Sequence, residues 1–500
     1  MSESGHELPR FADSVRWQSI NVGAQVVLQL VFVWALARLL TPADFGVMSI
    51  ALVVVGFVEI FAQIGIGPSI VQKRSLHPND LRTAGLFSVG LGACFYGALH
   101  VAAPAIGAWY SEPLLTHVLR IIALSFILGG IAVVPRSFLV RQMAFKRLFI
   151  GAMAGMLVGN YAVGLTLGWL GWGVWAYVGA LLVQNLVLGL TYWSFTWQAS
   201  RGGRWNGQAL RTMLGYGGRS TLYNFATYAA SKVDTLIVGR VASQAPGGWT
   251  ATGYYDRAVS LMGLPITLLG KLSDSVLFSG MSKMQDDQAA LQQTVSRATQ
   301  YLAFAVIPGA LWMWGNAEDL TILYLGEAFS GAAPIAAVLF LGVPFRSLTK
   351  VGDAVVRARD ELWRGLVWKV VFFAGVAVAA GQGMRADGGV YAVAWGVLAA
   401  TAVQFAGMTW LVGRTCAMPR NWWRTVLPGL LAGAVFVAAT WAGQTAFSSL
   451  DGWTGRAIRL AATGGLGCGA TLAILRFAPT LLAGAHPDWL APVRRRLFNR

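Results

Sequence analysis

Apolar runs of roughly 20 residues recur along the whole chain, and short polar islands separate them. A helix of about 20 apolar residues matches the hydrocarbon core of a bilayer. Fourteen spans follow, with edges near 17–40, 44–67, 83–107, 115–135, 148–168, 171–194, 212–239, 253–278, 298–315, 331–350, 364–382, 388–413, 424–444 and 455–478. Pro, Gly and charged residues punctuate the gaps, as helix breakers should. The longest connections, near 195–211 and 279–297, are too short for a folded domain. The pattern predicts an all-α membrane protein without a soluble module.

Composition agrees with this. Of 500 residues, 56% are apolar and only 12% charged, about half the charged share of soluble domains, and the mean hydropathy is +0.58. A net charge of +17 would suggest nucleic acid in a soluble protein. Here the basic residues fall in alternate connections instead: Lys73–Arg82, Arg136–Arg147, Arg201–Arg211, Lys283–Arg297, Arg346–Arg364 and Arg414–Arg424. The other connections carry few, and the stretch from Asn316 to Ser330 holds Glu318, Asp319 and Glu327. Arg385 is the main exception. The positive-inside rule then puts both termini in the cytoplasm, in keeping with an even span count, and excludes nucleic acid as a partner. The first sixteen residues show no cleavable signal pattern, so the first span is expected to start insertion uncleaved. The tail mixes Trp489 and Phe498 with Arg494–Arg496 and reads as an interfacial anchor. Cys94, Cys416 and Cys468 fit no metal spacing and read as buried small hydrophobes.

Polar groups within the spans are the informative departures, because they are costly in a bilayer. Gln18, Asn21, Gln25 and Gln29 lie three, four and four residues apart, so they share one helical face over about 16 Å. Such a stripe fits a helix lining a hydrated path, and it also fits amide bonding between helices. The seventh span is more polar, with Arg219, Tyr223, Asn224, Thr227, Tyr228, Ser231, Lys232, Asp234 and Thr235. Asn224, Tyr228, Ser231 and Thr235 share a face, and this span is expected to line the same cavity. Lys271 and Asp274 are spaced to pair on the eighth span. Glu59, one turn from Gln63, fits either cation coupling or pairing with a neighbouring arginine. Arg38, Arg120 and Arg240 sit near span ends, where a guanidinium snorkels to headgroups or turns inward to grip phosphate. Trp17, Trp109, Trp169, Trp172, Trp363, Trp422 and Trp423 occupy span ends, as an aromatic belt requires.

Chemical motifs are lacking. Gly215-Tyr216-Gly217-Gly218 has no following Lys-Ser/Thr, so it is no phosphate loop. The five histidines form no HExxH, and no nucleophile elbow occurs with triad partners. No metal or cofactor is expected, and an enzyme is disfavoured. A transporter without an ATP site runs on an ion gradient or on substrate flux. The chain also repeats weakly. Ala37-Arg38-Leu39-Leu40 before Asp44-Phe45-Gly46 parallels Gly239-Arg240-Val241-Ala242 before Gly253-Tyr254-Tyr255, with Arg38 and Arg240 202 positions apart. Six spans per half would relate the halves by an axis along the membrane normal.

Three stretches then carry a resemblance: Ala37–Gly46, Gln63–Gln72, and Pro135–Lys146 in the connection after the fourth span. Gly253-Tyr254-Tyr255-Asp256-Arg257-Ala258 fits as well. In this order the chain resembles the Wzx-type polysaccharide and O-antigen flippases, especially the colanic-acid-exporter branch of the multidrug/oligosaccharidyl-lipid/polysaccharide exporter superfamily. The likeness is best over about the first 280 residues. It implies two pseudo-symmetric six-helix lobes, 17–194 and 212–413, around a central cavity. They would be joined by a basic linker at 195–211 and followed by two peripheral spans in 414–478, with cytoplasmic tails at 1–16 and 479–500. It implies a protein of the bacterial inner membrane that flips undecaprenyl-diphosphate-linked oligosaccharide repeat units, in membrane lipid and beside polysaccharide polymerase and co-polymerase machinery. The family has no catalytic motif to carry over. On polarity, Arg38, Arg219, Lys232 and Arg240 are the candidates for the diphosphate. Gln18, Asn21, Gln25, Gln29, Asn224 and Tyr228 are those for the sugar path, and Glu59 and Asp234 those for ion coupling. The alternative is a cation-coupled drug or metabolite exporter of the same superfamily, and a membrane glycosyltransferase or polymerase is a third class.

Overall fold

A computed structural model describes residues 4–477 except 63–65, 74, 215–217, 245–246, 283, 285–286, 360, 385–388, 420 and 451. Within its helices it leaves aside the side chains of 4–15, 62, 200, 209, 212–214, 218–224, 226–227, 230, 268–280, 282, 362, 475 and 477. Gln63, Lys283, Arg385 and the tail from 478 lie outside the described residues, as do the side chains of Arg219, Asn224, Lys271 and Asp274. Every regular element among the described residues is helical. The chain divides into two compact units, Met1–Gly253 and Tyr254–Arg500.

The first unit holds α1 (Ser4–Leu36), α2 (Pro42–Ala62), α3 (Ile66–Gln72), α4 (Pro78–Trp109), α5 (Pro113–Ile122), α6 (Leu124–Arg141), α7 (Phe145–Gly155), α8 (Leu165–Trp169), α9 (Val174–Ser200), α10 (Gly207–Leu214) and α11 (Gly218–Ala242). It also holds the first turns of α12 (Gly248–Ser282). A π-helical stretch, Met156–Gly164, joins α7 to α8. Helices α4, α6 and α9 pack mutually, α1 lies on α7, and α11 lies on α2. Met48, Ile50, Ala51, Leu115, Val118, Leu119 and Ile122 form the centre of the core.

The second unit holds α13 (Gln288–Gly315), α14 (Ala317–Leu325), α15 (Ala333–Phe340), α16 (Val343–Ala358), α17 (Leu362–Gly383), α18 (Gly389–Thr415), α19 (Leu427–Ala446) and α20 (Gly452–Phe477). Helix α13 packs on α16 and α19, α17 on α18, and α20 on α19. Polar side chains tie three of these together. Trp312 Nε1 donates to Thr463 Oγ1 at 3.0 Å, and Gln444 Nε2 to the Gly315 carbonyl at 2.6 Å. Asn316, 1% exposed, donates to the Trp312 carbonyl and to Thr440 Oγ1.

Ten helical segments among the described residues are long and apolar enough to cross a membrane. They match the first six and last four spans read from the sequence, and the chain is a multi-pass membrane protein. The four remaining spans fall on α11, α12, α13 and a bent pair, Glu327–Phe340 with Val343–Ala358, which meet at 45°. Helices α11, α12 and α13 have 25, 35 and 28 residues. Their length exceeds the roughly 20 residues a span needs, and α11 carries Arg219, Lys232, Asp234 and Arg240 along it.

Two expectations are corrected. The stretch from Pro135 was read as a connection, but α6 continues to Arg141 and only Gln142–Ala144 turn. Pro135 sits inside that helix, as spanning helices tolerate when neighbours restore the bonding. Only Cys416 of the three cysteines is buried, whereas Cys94 and Cys468 face outward. A small apolar side chain loses nothing by facing lipid tails.

Candidate functional site

The stretches that carried the resemblance turn out to be joints. Thr41, Pro42 and Asp44 start α2 as a capping box with proline at the first helical position. The Thr41 N–H donates to Asp44 Oδ2 at 3.0 Å, its hydroxyl donates to the same oxygen at 2.7 Å, and the Asp44 N–H donates to Thr41 Oγ1 at 3.3 Å. The other carboxylate oxygen, Oδ1, accepts from the Val174 N–H at 3.0 Å, which satisfies the first turn of α9. One aspartate therefore caps two helices. Replacing Asp44 with alanine is expected to cost about 1–2 kcal/mol and to lower the melting temperature of the detergent-purified protein. Asp44→Asn, which keeps one acceptor, should fall between, and an unchanged melting temperature for the alanine variant would refute this role.

A second joint links α3 to α6. Arg141 Nη1 donates to the carbonyls of Ile70 at 3.0 Å, Val71 at 3.3 Å and Lys73, so a cation covers the open carbonyl end of α3. A third is the crossing of α2 and the start of α12. A Cβ on Gly46 would run into the Trp249 carbonyl, and one on Gly253 into that of Pro42. Here the two backbones touch, which only glycine allows.

The polar candidates lie on α1, α2 and α11, all in the first unit. On α1, Gln25 Nε2 donates to Asn21 Oδ1 at 2.7 Å, and Asn21 is buried. Gln18 and Gln29 are exposed. The neighbouring face is committed to packing: Phe32 meets Tyr161 and Tyr177, and Tyr161 Oη donates to the Leu28 carbonyl at 2.7 Å. Arg38, just past the helix end, donates to the Trp34 carbonyl at 2.7 Å and stacks over the Trp34 ring at 4.2 Å.

Helices α2 and α11 meet through rings. Phe225 packs on Phe57 and Phe61 with centroids 5.5 and 5.1 Å apart, and Tyr228 meets Phe57 edge-on at 5.0 Å. The Tyr228 ring occupies the space a side chain at Gly56 would need, and its hydroxyl approaches the Val53 and Leu52 carbonyls at 3.4 and 3.5 Å. Glu59, exposed on α2, is within electrostatic reach of Tyr228. Asp234 is 3% exposed and accepts from the Thr235 N–H at 2.7 Å and from the Thr235 hydroxyl at 3.3 Å. Lys232 is half-buried and forms no ion pair among the described residues. Arg240 stacks 5.0 Å above the Trp109 ring. With the Gln244 amide turned to face it, the Gln244 oxygen accepts from both terminal nitrogens of Arg240, at 3.0 and 3.1 Å. The neighbouring Tyr110 donates to the Leu236 carbonyl at 3.2 Å, and burial pushes its hydroxyl up to about 12.

The structure therefore brings Glu59, Phe225 and Tyr228 together where α11 lies on α2, and holds Arg38 and Arg240 at helix ends on tryptophan rings. Sequence reasoning missed an ionic cluster in the second unit. Arg459 meets Asp319 with Nε to Oδ2 at 2.9 Å and Nη2 to Oδ1 at 2.7 Å. Arg456 reaches Glu327, Asp319 and Glu318 at 3.2, 3.5 and 3.7 Å. The spacing of Arg456 and Arg459, three apart on one helix face, was the available signal.

This architecture defines a class first: an all-helical, multi-pass membrane protein with the fold of known flippases and exporters. The structure of the lipid II flippase MurJ in an inward closed conformation is similar at a TM-score of 0.71 and 13% identity, covering 92% of this chain and 98% of MurJ. An inward-facing multidrug resistance MATE family transporter follows at 0.56 and 15% identity, with coverages of 81% and 98%. The family is narrower. A model described as polysaccharide biosynthesis protein matches residues 35–334, and the chain belongs to that family. Among its relatives are the succinoglycan biosynthesis transport protein ExoT of Rhizobium meliloti, 24% identical over 81% of both chains, and the lipopolysaccharide biosynthesis protein WzxC of Escherichia coli K12, 22% identical over 73% of this chain and 74% of its own. The Wzx-type likeness read from the motifs holds.

Proposed function

We propose that this protein flips undecaprenyl-diphosphate-linked oligosaccharide repeat units across the bacterial inner membrane for exopolysaccharide, capsule or O-antigen assembly. The observation that carries the reading is the family match over residues 35–334, supported by a fold shared with a lipid II flippase. In this reading α11, α12, α13 and the bent pair complete fourteen spans. Two six-helix lobes enclose a cavity, α19 and α20 stand outside it, and both termini are cytoplasmic. A polymerase and co-polymerase take the product, and no catalysis is involved.

The sugar head needs hydrogen bonds along its path. The exposed amides of Gln18 and Gln29 and the half-buried Gln25 supply them, because an amide facing lipid would be left unsatisfied. Asn21, Asn224 and Tyr228 extend the polar face, with Tyr228 also holding α11 on α2. The diphosphate needs cations. Lys232 and Arg219 lie along α11, and Arg38 and Arg240 stand at helix ends, where each guanidinium would exchange its present acceptor, the Trp34 carbonyl or the Gln244 amide, for an oxyanion held bidentately. Rocking of one lobe on the other moves the head across while the polyprenyl tail stays in lipid. Glu59 and Asp234 are the carboxylates available to couple this to a cation.

Replacing Arg219 and Lys232 singly with glutamine tests the phosphate role. At matched protein levels in a strain lacking the native gene, exopolysaccharide output is expected to fall about tenfold or more for each lost charge-assisted contact. If neither replacement lowers output, the role is wrong. The likeness to a multidrug transporter keeps a second reading, a cation-coupled drug exporter. That reading predicts drug resistance on overexpression and no change in polymer on deletion.

A further inference from the structure

A groove of about 630 Å³ opens on the first unit between α4, α6 and α9. Its walls are apolar: Leu86, Val89, Ile131, Phe138, Leu190 and the Trp193–Trp197 pair, whose rings lie 4.2 Å apart. From Arg82 to Val89 it runs seven residues along α4, roughly 10 Å into the span. Two glycines give it depth. At Gly130 the backbones of α4 and α6 touch, so the wall there is thin, and at Gly85 a side chain would meet nothing within 4 Å.

The mouth is cationic. Arg82, in the second turn of α4, and Arg201, just after α9, both line it. The connection after α9 is fixed there. The Arg204 N–H donates to Asn79 Oδ1 at 2.7 Å and the Asn206 N–H to Thr83 Oγ1 at 2.9 Å, while Gly203 lies against the Pro78 carbonyl. Two guanidinium-bearing residues are thus held at one rim, and neither forms an ion pair among the described residues. Apolar walls below and two cations above match one chemistry, a phosphate head on hydrocarbon chains. The rim lies at the basic-loop end of the spans, where anionic lipids gather and basic pockets between helices bind their heads.

We propose that this groove is a binding site for an anionic phospholipid, with its phosphate on Arg82 and Arg201 and an acyl chain along Leu86, Val89 and Ile131. The site is separate from the polar faces of α1 and α11 and stands whether or not the flipping reading does. A photoactivatable-acyl phosphatidylglycerol, crosslinked to the full-length protein in nanodiscs and mapped by peptide mass spectrometry, tests it. Labels are expected to concentrate in 81–89, 130–138 and 190–202, and excess phosphatidylglycerol should compete while phosphatidylcholine does not. The Arg82→Gln/Arg201→Gln protein should need roughly thirtyfold more lipid for equal labelling, since each basic group near the surface is worth about 1 kcal/mol. Gly85→Leu, at a position where an added Cβ meets nothing within 4 Å, should fill the groove and abolish labelling there while the protein stays folded by thermal melting. Labels spread evenly over the lipid-facing surface, equal competition by phosphatidylcholine, or unchanged labelling in both variants would overturn the proposal. Displacement by a polyprenyl diphosphate at far lower concentration than phosphatidylglycerol would reassign the groove to the carrier lipid and overturn it as well. Polymer output of the same variants, measured separately, reports on the flipping reading.

Discussion

Replacing Arg459 with leucine is expected to destabilise the protein by about 3 kcal/mol, the lower end of the usual cost of breaking a buried ion pair, because Arg456 stays 3.5 Å from the Asp319 carboxylate. The Asp319 side chain is 9% exposed and that of Arg459 15%. The pair is bidentate, and Arg459 Nη1 also donates to the Leu450 carbonyl at 2.6 Å, closing the connection before α20. Removing the arginine leaves the carboxylate between α14 and α20 with only the 3.5 Å contact to Arg456 and opens that carbonyl. Asp319→Leu should cost a similar amount, because it strands the guanidinium instead. The double variant Asp319→Leu/Arg459→Leu is expected to recover most of the loss, since replacing both charges with apolar groups removes the desolvation cost. Glu318 and Glu327 are each 74% exposed, so losing either should change stability by no more than about 1 kcal/mol. Thermal melting of the four proteins in detergent completes the cycle. Additive losses in the double variant would show that the two residues act independently and sink the argument.

The second large effect falls at the crossing of α2 with the start of α12. A side chain at Gly253 would meet the Pro42 carbonyl, and the Gly46 amide lies 3.2 Å from the same built position. These are backbone atoms, with no flexible side chain to swing away, so the helices must separate. Gly253→Val is expected to cost about 3 kcal/mol, the upper end of the usual overpacking penalty, and to cut the amount of folded protein recovered from the membrane several-fold. Gly263→Val, on the same helix with nothing within 4 Å of the built position, is the control and should be well tolerated. Equal yields and melting temperatures for both would show that the crossing yields to a side chain.

The apolar spans could be read because bilayer thickness fixes their length, and ten of them stand where hydropathy placed them. The polar face of α1 and the polarity of α11 were visible for the same reason, since an amide or a charge inside a span stands out. The joints were not legible. Asp44 looks like an ordinary cap, and its second bond goes to a residue 130 positions away. Arg141 was read as loop charge, yet it closes carbonyls 68 to 71 positions earlier. Glu318, Asp319 and Glu327 were read as acidity of a connection, while their arginines lie 129 to 140 positions on. In each case the partner is set by which helices pack together, and hydropathy does not encode that choice.

The sequence by itself determined that this chain is a bundle of membrane helices, which of them are apolar, and which carry polar residues. The reason is the solvent: hydrocarbon tolerates neither a short helix nor an unsatisfied amide, and both constraints act residue by residue. The tertiary structure alone decided which carboxylate meets which guanidinium, where two backbones touch, and where two arginines stand at the rim of an apolar groove. Those features exist only once distant helices lie side by side, and burial there turns a few ordinary charges and glycines into the positions that tolerate change least.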